Sequence, residues 1–171
     1  MESKKPEVEV RRTSPGDREW VRQVLEQCWY STKIVSKGRI HDADQLSGFI
    51  AEQSGVRVGL VLYEIANGEC EIVTLNSFTE FFGVGSSLID AVKFVAMASN
   101  CRRLWLTTTN DNTQALRFYQ KRGFVLTAIY LGAIENSRKL KPNIPMIGYD
   151  GIPVKDEIEL EMPLEHGVAK A

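Results

Sequence analysis

The sequence predicts one α/β domain, a central, mixed but mostly antiparallel twisted sheet of about seven strands flanked by about four helices. Three observations carry this expectation. "FIAEQ", "VRVGLVLYEI" and "CEIVTLNSF" are strand-like apolar runs separated by Ser54-Gly55 and Asn67-Gly68, both turn signals, so the middle of the chain reads as an antiparallel meander. The apolar period then switches to a helical one in "GVGSSLIDAVKFVAMASN". A strand, a helix and a further strand follow, and strand–helix–strand connections place a parallel pair inside the sheet.

The elements follow in order. "VEVRR" (8–12) alternates and reads as the first strand. In "SPGDREWVRQVLEQCW", Ser14 suits a cap and Pro15 the first turn, and Trp20, Val24, Leu25 and Cys28 recur at helical spacing. "YSTKIVSKGRIHDADQL" is a mixed polar stretch with weak helical character. After the meander and the long helix, "RRLWLTTT" reads as a buried strand. "NDNTQALRFYQKRGF" reads as a short helix, capped by Asp111 or Asn110 and closed by Gly123. "FVLTAIYLGA" is a further strand, and a loop rich in Pro and Gly spans about 135–157. In "DEIELEMPL", Ile158, Leu160 and Met162 alternate with Glu157, Glu159 and Glu161, which predicts an antiparallel strand with one wet face.

Composition excludes several classes. The 171 residues suit a single domain over 1–171, with flexible ends at about 1–6 and 165–171. Hydrophobic residues make up 43% and charged residues 25%, as in an average soluble domain. The formal net charge is −1, which gives no electrostatic drive toward nucleic acid or an anionic membrane. Three widely spaced cysteines, two histidines and no C-x-x-C pair point away from a disulfide framework or a zinc site, so no metal is expected. The start, "MESKKPEVEV", lacks the apolar stretch of a signal peptide, and no run reaches the roughly 20 residues of a membrane helix. The expectation is a reduced, cytoplasmic protein. Monomer and homodimer stay open.

Two stretches carry chemistry. In "NSFTEFFGVGSSLI", Gly83 and Gly85 stand at a helix entrance, followed by Ser86 and Ser87. The first N–H groups of a helix lack internal partners and carry the positive end of its dipole, so an anion such as a diphosphate fits there. A simple turn with a serine cap fits the same residues. In the short helix, Asn112, Ala115 and Tyr119 fall on one inward stripe, with a small residue between two polar ones. A core tyrosine with a satisfied hydroxyl is the plainer alternative.

Together the two stretches resemble the GNAT acetyltransferase superfamily. Asn112, Ala115, Tyr119, Gly123 and Phe124 match its N-x-x-A-x-x-x-Y-x-x-x-G-F motif. Gly83 and Gly85 match its pyrophosphate loop, (Arg/Gln)-x-x-G-x-(Gly/Ala), where Glu80 stands at the Arg/Gln position. The element order fits from Val8 through Pro163. The resemblance implies the GNAT fold, acetyl-CoA as co-substrate, and direct attack of an amine on the thioester in a ternary complex. It implies that the pyrophosphate lies on the amides of Gly83, Val84, Gly85, Ser86 and Ser87. The pantetheine arm would run along Val73 and Leu75, with Asn112 and Tyr119 also at the cofactor. Tyr119 is expected to protonate the departing thiolate, its ordinary pKa of about 10 against roughly 8.5 for a thiol being read as favouring transfer.

The acceptor is expected to be a primary amine of a small molecule or peptide. Freeing a lysine-like amine at pH 7 costs roughly 4–5 kcal/mol, so a base would help. Glu71 is the candidate, with Glu69 beside it. Trp29, Tyr30, Arg39 and Tyr149 are candidates for the acceptor pocket, and Arg39, Arg138, Lys139 and Lys141 for meeting a substrate carboxylate. Cys70 and Cys101 read as buried structural thiols. A non-catalytic acyl-CoA-binding or regulatory module of the same fold is the alternative, kept open by Glu80. A nucleotide-phosphate binder of another fold is the third reading.

Overall fold

The computed structural model describes residues 7–79 and 83–166. In chain order these form β1 (Glu9–Arg12), α1 (Arg18–Trp29), β2 (Lys33–Ser36), β3 (Arg39–Asp42), β4 (Ser47–Gln53), β5 (Val56–Ala66) and β6 (Glu69–Ser77). Then come α2 (Val84–Ala98), β7 (Arg103–Thr109), α3 (Thr113–Gln120), β8 (Val125–Tyr130), α4 (Ala133–Leu140) and β9 (Glu157–Pro163). Seven strands make one sheet in the order β1-β4-β5-β6-β7-β9-β8, and β2-β3 form a separate hairpin. Every sheet neighbour is antiparallel except β6 and β7. No described helix is long and apolar enough to cross a membrane.

Both faces of the sheet centre are covered, which is why β5 reads as a nearly continuous apolar run. Period-two alternation divides its residues between two cores. Val61 and Tyr63 of β5 and Ile72 of β6 pack with Leu88, Ile89 and Val92 of α2. Leu60, Leu62 and Val73 pack on the other side with Val21, Val24 and Leu25 of α1 and Ile34 of β2. Gly59 sets the position of α2. A Cβ there would stand 2.5 Å from Cγ1 of Val84 and 3.0 Å from Cδ1 of Leu88, so its absence lets the helix start press onto β5.

The meander turns form as expected. Ser54-Gly55 and Asn67-Gly68 each place two successive residues at positive φ, as a two-residue hairpin turn requires. Three expectations are corrected. The stretch after α1, read as weakly helical, is the β2–β3 hairpin, turned by Lys37 and Gly38 at φ 49° and 74°. The turn explains the misreading, because lysine gives no turn signal and the run around it is polar. Residues read as strand end and loop instead make α4, so the count of four helices holds with different membership. The cap of α3 is Asn112, whose Oδ1 accepts from the Ala115 N–H at 3.1 Å, rather than Asp111 or Asn110.

The wet face expected on β9 is the fourth correction. Glu157 and Glu159 are 4% and 2% exposed. β9 lies between β7 and β8, and the β2–β3 turn covers its glutamate face. There Lys37 Nζ contacts Glu159 Oε2 at 2.8 Å, Arg103 Nη1 donates to Glu159 Oε1, and the Tyr130 hydroxyl donates to Glu159 Oε2. Of the ends expected to be flexible, 1–6 and 167–171 lie outside the described residues. His166 Nε2 lies 2.7 Å from the Cys101 carbonyl oxygen.

Candidate active site

The sheet opens between its two parallel strands. β6 and β7 pair only at Cys70↔Leu104 and Glu71↔Trp105. Beyond that point the backbone of β6 facing β7 has no strand partner among the described residues. Unpaired backbone groups beside a cleft are ready to bind an extended chain carrying amides. A cavity of about 740 Å³ occupies the opening, with Val73, Leu75 and Asn76 on one side and Thr107, Thr108 and Thr109 on the other.

Three of the four predicted pocket residues line this cavity: Trp29, Tyr30 and Tyr149. Trp29 Nε1 donates to Asn76 Oδ1 at 3.0 Å, which fixes the ring against β6. Lys141 Nζ donates to the Trp29 carbonyl, and Asn143 Nδ2 to that of Tyr30, so the chain after α4 closes the wall. The Tyr149 N–H donates to Asp111 Oδ2 at 3.0 Å. Arg39 points elsewhere, onto Glu64 at 2.8 Å. Arg138 and Lys139 are also away from this cavity, and Arg138 donates to the carbonyls of Ile144, Pro145 and Val154.

The start of α2, where an anion cradle was expected, is built differently from the expectation. Gly83 caps the helix at φ 72°. The Ser87 N–H and hydroxyl both donate to the Gly83 carbonyl, at 2.9 and 3.0 Å, so the amides left free by the helix are those of Val84, Gly85 and Ser86. Gly85 is glycine for packing: a Cβ there would stand 2.7 Å from Cζ of the Phe118 ring. The sequence reading missed Arg122. Its Nε donates to Ser86 Oγ and its Nη1 to the Phe118 carbonyl, both at 2.8 Å, and its guanidinium lies 3.4 Å from the Phe118 ring centre. A cation thus stands at the first turn of α2, where the dipole is already positive. Glu80 lies outside the described residues.

On α3, Asn112 lines the cavity while its Oδ1 serves as cap. Tyr119 does not line the cavity; it is 7% exposed within the core under α2, its ring edge-on to Phe118 and Phe124 at centroid distances of 5.1 and 5.3 Å. Burial pushes the phenol pKa up. The expected sense of the proton transfer is therefore corrected. A phenol near 10 giving its proton to a thiolate near 8.5 is uphill by roughly 2 kcal/mol at ordinary values, and burial widens the gap. What burial preserves is a neutral O–H donor.

The carboxylates sort into two positions. Glu71, the predicted base, is buried but does not line the cavity; its Oε2 lies 3.3 Å from His41 Nε2. Glu69 is tied to Arg102 and Arg103 at 2.6 and 3.0 Å. Glu157 does line the cavity, and its Oε1 accepts from the Lys37 N–H at 3.0 Å. Burial raises its pKa, the bonds from Lys37 and Thr107 lower it, and the Glu71 charge raises it further. Sequence reasoning missed Glu157 because alternation marked it as a solvent-facing strand residue. Cys70 is fully buried with its thiol pushed up to about 12, chiefly by burial, so it is inert at neutral pH.

His41, Glu64 and Glu71 bring their donor atoms within 4.8 Å of one another. Both carboxylates stand against the one imidazole, Glu64 Oε2 at 3.5 Å from Nδ1 and Glu71 Oε2 at 3.3 Å from Nε2.

Residues 11–124, well over half of the chain, match the model of the acetyltransferase (GNAT) family. The chain is 40% identical to the uncharacterized protein YdhI of Bacillus subtilis (strain 168), over 76% of this chain and 82% of that protein. Among solved structures it resembles an IAA acetyltransferase from Bacillus cereus ATCC 14579, with a TM-score of 0.73 and 23% identity over 92% of this chain and all of that one. It also resembles a GNAT family acetyltransferase from Elizabethkingia anophelis with acetyl-CoA bound, with a TM-score of 0.63 and 21% identity over 92% of this chain and 98% of that one. At these identities the two structures establish a shared fold.

Proposed function

Because the chain belongs to the acetyltransferase (GNAT) family, we propose that it moves an acetyl group from acetyl-CoA to a primary amine of a small molecule or peptide, by direct attack in a ternary complex. The observation that carries this reading is the opened β6–β7 pair with a cavity beside it. The pantetheine amides bond to the free backbone edge around Val73 and Leu75. The pyrophosphate rests on the amides of Val84, Gly85 and Ser86, in the loop opened by Gly83, with Ser87 closing the turn and Arg122 adding positive charge. Asn112 borders the thioester end of the groove.

The amine enters between Trp29, Tyr30 and Tyr149. Its nitrogen attacks the thioester carbon, the N–C bond forms and the C–S bond breaks. The amine proton passes to Glu157, and Tyr119 donates its O–H to the departing sulfur as charge develops there. In this proposal the base role expected of Glu71 falls to Glu157, because Glu157 lines the cavity. No metal takes part. The acceptor side is aromatic and carries the carboxylates of Asp111 and Glu157, with Lys141 tied to the Trp29 carbonyl, and the aromatic rings suit an ammonium that must lose a proton before it attacks. The three free cysteines suit a reducing cytoplasm, where acetyl-CoA is also available.

Ligand binding tests the cofactor half of the reading. At a hundredfold excess over Kd, acetyl-CoA should stabilise the fold by about 2.7 kcal/mol, an upward shift of several degrees in thermal unfolding. ATP at the same concentration should shift it far less. Greater stabilisation by ATP would favour a nucleotide-phosphate binder instead.

A further inference from the structure

The cavity between β6 and β7 holds charges of both signs that do not pair. Lys141, directly after α4, is 9% exposed, and among the described residues lining the cavity it is the one cation. Its Nζ donates to the Trp29 carbonyl at the C-terminal end of α1, where the helix dipole is negative. That bond uses one of the three N–H donors of an ammonium. No carboxylate among the described residues forms an ion pair with it, and burial lowers its pKa with no opposing charge to restore it. The carboxylates of Asp111 and Glu157 line the same cavity. Glu157 accepts from the Lys37 N–H and Asp111 Oδ2 from the Tyr149 N–H, while Asp111 Oδ1 meets no donor. A buried charge without a counter-charge is costly. An ammonium and a carboxylate that share a cavity without pairing are therefore matched to charges that a ligand brings.

We propose that the acceptor is a free amino acid with an apolar body: its carboxylate pairs with Lys141, and its amine is the nucleophile that gives a proton to Glu157. The inference rests on the acetyltransferase reading above and names the substrate class of that same site. Arg39, Arg138 and Lys139, the other basic residues expected to meet a substrate carboxylate, lie outside the cavity, which leaves Lys141 for that contact. Asp111 adds negative charge that favours the ammonium of the entering zwitterion. Much of the remaining wall is apolar, with Trp29, Ile34, Val73, Leu75 and Ile144, and this suits a hydrocarbon or aromatic side chain. The volume of about 740 Å³ must also admit the thioester end of the cofactor, which leaves the room of one amino acid rather than a peptide. The bonds made and broken are those of the transfer above. The products are an N-acetyl amino acid and the CoA thiol, with the substrate carboxylate unchanged.

Matched acceptors separate this role of Lys141 from a purely structural one. Each set holds an amino acid, its primary amide and the amine that lacks the carboxyl group: phenylalanine, phenylalaninamide and phenethylamine, with parallel sets built on leucine and on ε-aminocaproate. In at least one set, wild type should acetylate the acid with a kcat/KM roughly tenfold or more above that of the amide and the amine. The α-amino amides carry the more weakly basic amine, so easier deprotonation works against this result. In Lys141→Gln the ratio of acid to amide should fall to about one. A loss of packing against Trp29 would lower acid and amide by the same factor and leave their ratio where it was. A wild type that favours the amide or the amine in every set, or a ratio in Lys141→Gln equal to that of wild type, overturns the proposal. Should Lys141→Gln fail to fold, the wild-type ratio decides by itself: a preference for the acid supports the proposal and its absence overturns it. If wild type acetylates other amines but no acid of these sets, the proposal fails and the acetyltransferase reading stands. If it acetylates no amine at all, that reading fails and the proposal with it.

Discussion

Replacing Glu157 by glutamine is expected to lower kcat/KM for acetyl transfer by roughly 10²–10⁴-fold at neutral pH, with acetyl-CoA affinity unchanged. Glutamine keeps the volume, the buried position and a carbonyl that can accept from the Lys37 N–H. It loses only the ability to take a proton. The wild-type profile should fall on the acid side through a pKa above the ordinary glutamate value, because burial holds the proton on Glu157. The variant should lack that limb. The stability effect has the opposite sign. A carboxyl whose pKa is raised by folding stabilises the fold only while protonated, and that contribution is lost as pH rises through the folded value. At pH 7 glutamine should therefore unfold at or above the wild-type temperature. Steady-state kinetics across pH, read with thermal unfolding, checks both parts.

The second large effect is at Tyr119. Tyr119→Phe should lower kcat about a hundredfold, the low end for a proton donor, with acetyl-CoA binding nearly kept. The low end follows from the raised pKa of the buried phenol, which makes full proton transfer costly and leaves hydrogen-bond donation to the sulfur as its main contribution. Phenylalanine retains the edge-on contacts with Phe118 and Phe124, so thermal stability should change little. An unchanged kcat would reduce Tyr119 to a core residue and remove it as the acid.

The parts of the site that a short stretch can encode were readable before folding. The glycine turn before α2 and the Asn112–Tyr119 spacing on α3 depend on neighbours within a turn or two. Their finer roles were not readable. Gly85 looked like room for an anion, yet its bare backbone makes room for Phe118, which comes from another helix. Asn112 looked like a cofactor ligand and also caps its own helix. Glu157 was hidden for a different reason. Alternation along β9 marks it as solvent-facing, and only the β2–β3 turn, more than a hundred residues earlier, buries it. That hairpin was itself obscured by lysine at a left-handed turn position. His41 and Arg122 carried no local pattern at all. Their meaning comes from carboxylates on two other strands and from a serine on another helix.

The most direct test of the account is amine-dependent release of CoA thiol from acetyl-CoA, measured against a panel of small-molecule and peptide amines together with detection of the N-acetylated product. The account predicts that at least one primary amine raises thiol release well above the rate with water alone, with one acetylated amine formed per thiol released. Acetyl-CoA that binds tightly while no amine increases its turnover would contradict the account and leave a non-catalytic acyl-CoA-binding module of the same fold.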